Sequence, residues 1–268
     1  MIVPFTLEAL SAIADEAAAL ARNGATAPLD VVQKVDGTPV TAVDAAVDAF
    51  LRRALTELLP NSGWLSEETA DDDERLGRDF VWIVDPIDGT KQLLSKIPEI
   101  AISIGLVSSG SVVAAAVINP MTRESGTWVA GGPPVFQGLV ARPAPSTLVE
   151  VDAIVSRTES EAGDLTDLRT LVGSTRAIGS VAYKLLRVAA GTDALTYSVL
   201  PKNEWDVCGG VGLLEAAGRA YLRLDGDPVV FNQPDPRILS GAVGGPRPLA
   251  ESLRRALVQR LGGVVRRS

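Results

Sequence analysis

Apolar residues recur at helical spacing over residues 5 to 22, where Leu7, Leu10, Ile13, Ala17 and Leu20 fall on one stripe. Thr6 stands at the N-cap position of this predicted helix and Gly24 at its stop. "KVDGTPV", residues 34 to 40, reads as a turn through its Asp-Gly pair. "TAVDAAVDAFLRRALTELLP" predicts a second helix capped by Thr41, with Val43, Val47, Phe50, Leu51, Leu55 and Leu58 inward. The period then shortens. "GWLSEET" reads as a short strand running into acid, "ADDDERLGRD" as a charged surface loop and "FVWIVD" as a buried strand. Residues 101 to 120 predict two strands about a Ser-Ser-Gly turn, and "ESGTWVA" continues that sheet.

Residues 130 to 149 carry several Pro and Gly and no periodicity, which predicts a boundary between halves at 1–140 and 150–268. Beyond it, strands and helices alternate. "VDAIVS" is a strand, followed by a polar helix near 160 to 169 and a further short strand. "GSVAYKLLRVAAG" is a helix with Val181, Leu185, Val188 and Ala189 inward. "ALTYSVL" and "RAYLRLDG" are strands flanking the helix "WDVCGGVGLLEAAG". Residues 247 to 261 form a last amphipathic helix, with a frayed basic tail. The pattern predicts an α+β chain, helices on an antiparallel sheet first and an α/β half second.

Composition narrows the chemistry. The 268 residues are 46% hydrophobic and only 4% aromatic, so aliphatic side chains must build the core. The net charge of −8 argues against a nucleic-acid polymer as partner. It leaves phosphorylated small molecules open, because bound cations reverse a local field. There is no histidine, which removes histidine triads and histidine zinc sites. A lone Cys208 excludes an internal disulfide and reads as a small buried apolar residue. No apolar run approaches membrane-span length, and the N-terminus lacks the basic region of a signal peptide. No membrane partner and a cytoplasmic location are therefore expected.

The chemistry that remains is carboxylate chemistry. Glu67, Asp85, Asp88 and Asp206 sit at element ends, and Asp44 lies in the first turn of its helix. Hard divalent cations take carboxylate, carbonyl and water oxygens. Asp85-Pro86-Ile87-Asp88 can aim two carboxylates and the Ile87 carbonyl at one point, since Pro86 fixes the turn. Gly89 permits close backbone approach, and a helix starting near Thr90 would add a dipole that favours phosphate. Each piece also has an ordinary explanation. Asp85 can cap a turn, Glu67-Glu68 can be a solvated edge, Asp206 is a common helix start, and "GSVAYK" is a common helix N-terminus.

Together, "KVDGTPVTAVD", "SEE", "WIVDPIDGT" and "EWDVCGGVGLLEAAG" resemble, in order and spacing, the inositol monophosphatase superfamily. The resemblance covers nearly the whole chain. It implies a five-layer α-β-α-β-α sandwich, as in fructose-1,6-bisphosphatases, and Li⁺-sensitive phosphomonoester hydrolysis with two or three Mg²⁺. Carried over by residue, it implies Glu67, Asp85, the Ile87 carbonyl, Asp88 and Asp206 as metal ligands. Glu67 and Thr90 would orient the attacking water, with Asp44 supporting Thr90. Gly89 and Thr90 would offer N–H groups to phosphate. The second half looks most like the CysQ-type 3'(2'),5'-bisphosphate nucleotidase branch, which implies substrate contacts from Lys91, Ser180, Tyr183 and Lys184. The position matching an inositol-binding Glu is Val199, while Glu159 stands where nucleotidases commonly carry His. The expected reaction is hydrolysis of 3'-phosphoadenosine 5'-phosphate to AMP. Inositol 1-phosphate or another sugar phosphate is the alternative, and a non-catalytic binding protein on the same fold the remote one. By analogy the family implies a homodimer.

Overall fold

The computed structural model describes residues 3–26, 31–33, 39–71 and 73–262. Most of the turn expected over 34–40, and the basic tail, lie outside the described residues. Helix α1 (Leu7–Gly24) begins where Thr6 Oγ1 accepts the Ala9 N–H, as its sequence predicts. Strands β1 (Val31–Gln33) and β2 (Pro39–Thr41) pair antiparallel and lead into helix α2 (Ala42–Leu58). Thr41 and Asp44 close a reciprocal capping box there, so the Asp44 carboxylate is fixed by the backbone it caps.

The first sheet follows in chain order: β3 (Gly63–Ser66), β4 (Val81–Asp88), then after the short helix α3 (Thr90–Leu94), β5 (Ala101–Ser108), β6 (Ser111–Ile118), β7 (Ser125–Val129) and β8 (Val135–Gln137). Only β3 and β4 run parallel; the other neighbours are antiparallel. Strand β5 is buried at every position. Its run lacks polar alternation because both faces are covered. Helices α1 and α2 pack on one face through Leu10, Val47, Leu51 and Leu55 against Trp82, Val84, Ile102 and Ile104.

The second half supplies β9 (Asp152–Ser156), α4 (Arg157–Ala162), β10 (Ser174–Ile178), α5 (Val181–Ala189), β11 (Thr196–Ser198), β12 (Lys202–Asn203), α6 (Glu204–Ala216), β13 (Ala220–Arg223), β14 (Arg237–Ile238), β15 (Ala242–Gly245) and α7 (Arg247–Arg260). A five-stranded mixed sheet takes the order β10-β9-β11-β15-β13. Helices α5 and α6 lie between the two sheets, with Leu185, Val211, Leu213 and Leu214 in the shared core. Helix α7 covers the far face through Leu249, Leu253 and Leu257. The five layers are thus α-β-α-β-α.

Two local expectations are corrected, and a third gains detail. The charged segment 70–79 is not merely a surface loop. It contains a 3₁₀ turn (Glu74–Gly77) whose Arg75 is 1% exposed and donates to Asp71, Asn232 Oδ1 and the Gln233 carbonyl. Full pairing lets this guanidinium lie inside. The polar helix near 160–169 is α4 plus a separate 3₁₀ segment (Thr166–Leu171), because Gly163 ends α4 in a left-handed cap. The boundary stretch 130–149 gives three residues, β8, to the edge of the first sheet.

Candidate active site

Strand β4 delivers the central acids through a bulge. Asp85 pairs opposite Ser103 and Asp88 opposite Ala101, so Pro86 and Ile87 together face Ile102 alone. Such a bulge bends the strand end and re-aims its side chains. Asp85 Oδ1 accepts the Ile87 N–H at 3.0 Å. Gly89 follows at φ +105°, a conformation open to glycine, and a Cβ there would meet the Glu99 carbonyl at 3.1 Å. Helix α3 does start at Thr90, yet spans only five residues, so local N–H groups rather than a long dipole face the turn.

Asp206 reaches the site through the packing of α6. A Cβ on Gly209 would lie 2.8 Å from Ser103 Oγ and 2.9 Å from the Ile104 carbonyl. Gly209 on α6 and Gly105 on β5, the latter against buried Cys208, therefore let α6 approach β5 closely, while Gly210 and Gly212 face Leu185 and Val112. One turn earlier, Asp206 Oδ2 accepts the Asn203 N–H at 2.7 Å in a capping box.

Carboxylate oxygens of Glu67, Asp85 and Asp206 lie within 4.8 Å of one another. Burial, then repulsion from Glu67, Asp88, Asp206 and Asp44, holds the Asp85 carboxyl well above the usual range. Burial and Asp88 push Asp206 up to about 7, against the Asn203 N–H. Oxygen donors that repel one another this way fit a hard divalent cation, which supplies the missing positive charge. Thr90 Oγ1 donates to Asp44 Oδ1 at 2.8 Å, joining α3 to the cap of α2. Asp88 sits beside the cluster. Its Oδ2 accepts from Ser180 Oγ at 2.7 Å and from the Ala182 N–H at 2.6 Å. Burial raises its pKa, while Lys184 and these donors oppose the rise.

The residues expected to touch substrate separate into two groups. Gly89, Thr90 and Lys91 lie on the turn, with Lys91 exposed. Ser180, Tyr183 and Lys184 turn inward instead. Tyr183, 5% exposed, donates its hydroxyl to Glu124 and lies under Arg187. Lys184, 4% exposed, donates to the Ser180 carbonyl at 2.8 Å, and burial lowers its pKa to about 8. Lys184 braces the Gly179–Ser180 turn through its carbonyls, because a buried ammonium needs its donors paired, whereas the Tyr183 hydroxyl is tied to Glu124 and Arg187.

Two more supports are acids whose bracing role has no local sequence signal, although Glu159 stands out by position. Glu99 accepts the Gly179 N–H at 2.7 Å and pairs with Arg157 at 2.7 Å, pinning that turn to the first half. Glu159, 1% exposed, accepts the Val199 N–H at 2.9 Å and the Lys202 ammonium at 3.2 Å. Both acids are distant in sequence from their partners, so no spacing betrays them.

A model of the inositol monophosphatase family matches residues 4–261. The chain is 33% identical over 235 residues to the 3'(2'),5'-bisphosphate nucleotidase CysQ of Escherichia coli, covering 81% of this chain and 93% of that one. It is 32% identical over 219 residues to the inositol-1-monophosphatase of Caulobacter vibrioides, covering 77% and 84%. The crystal structure of the extragenic suppressor protein suhB from Bartonella henselae is similar at a TM-score of 0.78 and 25% identity, covering 93% and 97%. With its layers, its carboxylate cluster and these likenesses in agreement, the chain belongs to the inositol monophosphatase family and is a phosphatase.

Proposed function

We propose that the chain is a Mg²⁺-dependent phosphomonoesterase that hydrolyses 3'-phosphoadenosine 5'-phosphate, or a similar nucleoside bisphosphate, to the monophosphate and phosphate. The observation that carries the chemistry is the convergence of Glu67, Asp85 and Asp206 within 4.8 Å. With Asp88 and the Ile87 carbonyl, these groups would hold two or three Mg²⁺. When bound, Mg²⁺ lowers the pKa of a water molecule and offsets charge on the phosphoryl oxygens. Thr90 Oγ1 donates its hydrogen bond to Asp44 Oδ1, which leaves its lone pairs free to accept a hydrogen bond from, and so orient, an attacking water. Glu67 orients the same water from the carboxylate side. Gly89 and Thr90 N–H groups receive the phosphate oxygens.

The substrate reading rests on charge. Lys91 is exposed beside the turn and has no acidic partner among the described residues, so it suits a second phosphate. Val199 offers no carboxylate to a polyol, and its N–H is held by buried Glu159. Ser180 and Lys184 act through the shape of the Gly179–Ser180 turn, and Tyr183 through its tie to Glu124. The likeness to CysQ supports this choice. The second reading, inositol 1-phosphate, is supported by the likeness to the Caulobacter enzyme. A cytoplasmic location and a homodimer complete the proposal; light scattering tests the latter. Among the described residues no helix is long and apolar enough to cross a membrane.

A phosphate-release panel tests the substrate: adenosine 3',5'-bisphosphate, inositol 1-phosphate, fructose 1,6-bisphosphate and histidinol phosphate, each with and without Li⁺. The bisphosphate nucleotide should show the highest kcat/KM. Lys91→Ala should raise its KM about tenfold, the loss of one charge-assisted bond, and leave inositol 1-phosphate nearly unaffected. Inositol 1-phosphate hydrolysed fastest by a wide margin would reverse the order.

A further inference from the structure

We infer that the cleft between the 142–145 strap, the Gly191–Ala194 turn and Arg219 binds a small organic phosphomonoester, at a site that shares no residue with the carboxylate cluster. The cleft has a volume of about 360 Å³, within the range of small-ligand sites. Three acids line it, and each is already engaged. Glu150 accepts the Ser146 N–H at 2.8 Å, Asp152 accepts from Ser174 Oγ at 2.8 Å, and Asp193 is held by Arg176 and by Arg187 at 2.7 Å.

The two arginines of the cleft are not engaged. Neither Arg142 nor Arg219 has an acidic partner among the described residues. Arg142 is exposed, whereas Arg219 is half-buried. Burial lowers the Arg219 pKa, with no acid to offset it. Gly191 makes the space it occupies: a Cβ there would lie 2.8 Å from Arg219 Nη2. Thr192, only 7% exposed, lines the same cleft, and its buried hydroxyl has no partner among the described residues. A partly desolvated guanidinium without a counter-charge is costly, and a bound dianion removes that cost. Two guanidiniums match the planar pairs of phosphate oxygens, and Pro143, Pro145 and Pro246 offer an apolar wall to the ester's body. Arg142 and Arg219, without acidic partners among the described residues, are the cations of this cleft left to meet a phosphate, with Glu150 and Asp152 on the same lining.

Calorimetry with phenylphosphonate, an unhydrolysable mimic with an apolar body, tests the site on the full chain in EDTA. Without metal, the carboxylate cluster repels a dianion, so its site stays out of the measurement. Saturable one-to-one binding is expected, several-fold tighter than that of inorganic phosphate. Arg219→Gln and Arg142→Gln should each weaken it at least tenfold, while Asp88→Asn should leave it unchanged. Arg142 is exposed, so its variant keeps the test independent of folding at Arg219. Absence of saturable binding, indifference to both arginine variants, equal affinity for inorganic phosphate, or loss in Asp88→Asn would each overturn the assignment.

Discussion

Gly209→Ala perturbs the site through packing alone. The new methyl would sit 2.8 Å from Ser103 Oγ, 2.9 Å from the Ile104 carbonyl and 3.1 Å from the Ile104 nitrogen. Ordinary contact needs about 3.5 Å, so α6 and β5 must part by roughly half an ångström. Overpacking of this kind costs about 1–3 kcal/mol, and the better helix propensity of Ala returns about 1 kcal/mol. The net loss is roughly 0–2 kcal/mol, a few degrees in Tm for a chain of this size. The functional effect should be larger than the stability effect. Asp206 lies one turn from Gly209, and Mg²⁺ accepts only near-ideal ligand geometry, so metal affinity should fall about tenfold or more. The assay pairs urea denaturation in EDTA with initial rates across a Mg²⁺ titration. Gly77→Ala is the control, because no atom lies within 4 Å of a Cβ there. Wild-type Mg²⁺ dependence in Gly209→Ala, with stability equal to the control, would refute the claim that α6 packing sets the metal site.

Asp88→Asn keeps the shape but not the charge at the Ser180 and Ala182 contacts. It should lose Mg²⁺-dependent turnover by about a hundredfold or more while its Tm stays within a few degrees; unchanged phosphate release would end the phosphatase assignment of this turn. Ser180→Ala should lose the helix cap on Tyr183 N–H and the bond to Asp88, costing about 1 kcal/mol and weakening Mg²⁺ binding. Equal Mg²⁺ titrations for variant and wild type would deny Ser180 its positioning role. The metal-free protein should lose stability as pH rises from about 4 to 7. Asp206, lifted to about 7, holds a proton in the folded state that the unfolded chain has released, so unfolding is favoured by rising pH in that window. The group is partly solvated, so the loss is on the order of 2–4 kcal/mol at most. Saturating Mg²⁺ should flatten the slope, and its affinity should fall up to tenfold per pH unit below 7. A metal-free urea midpoint that rises with pH across this range would contradict the sign.

The elements with long periodicity, and the chemistry of the acids, follow from residues near one another along the chain. Helices α1 and α2 follow from apolar spacing and from side-chain caps at Thr6 and Thr41 that act within four residues. Strands β4, β5 and β6 follow from uninterrupted apolar runs, and "DPIDGT" already carries its turn in its residues. Local rules are sufficient there because the deciding contacts are local. Elsewhere, partners far along the chain outweigh them. Arg75 lies buried because Asn232 and Gln233, far along the chain, accept its protons. Tyr183 and Lys184 turn inward because α5 is sandwiched between two sheets and pinned by Glu99 and Glu124. Asp206 meets Asp85 only because glycines let α6 lie against β5. Sequence named the carboxylates; the packing of one helix on one strand made them a site, since charges of like sign converge only when a fold holds them together.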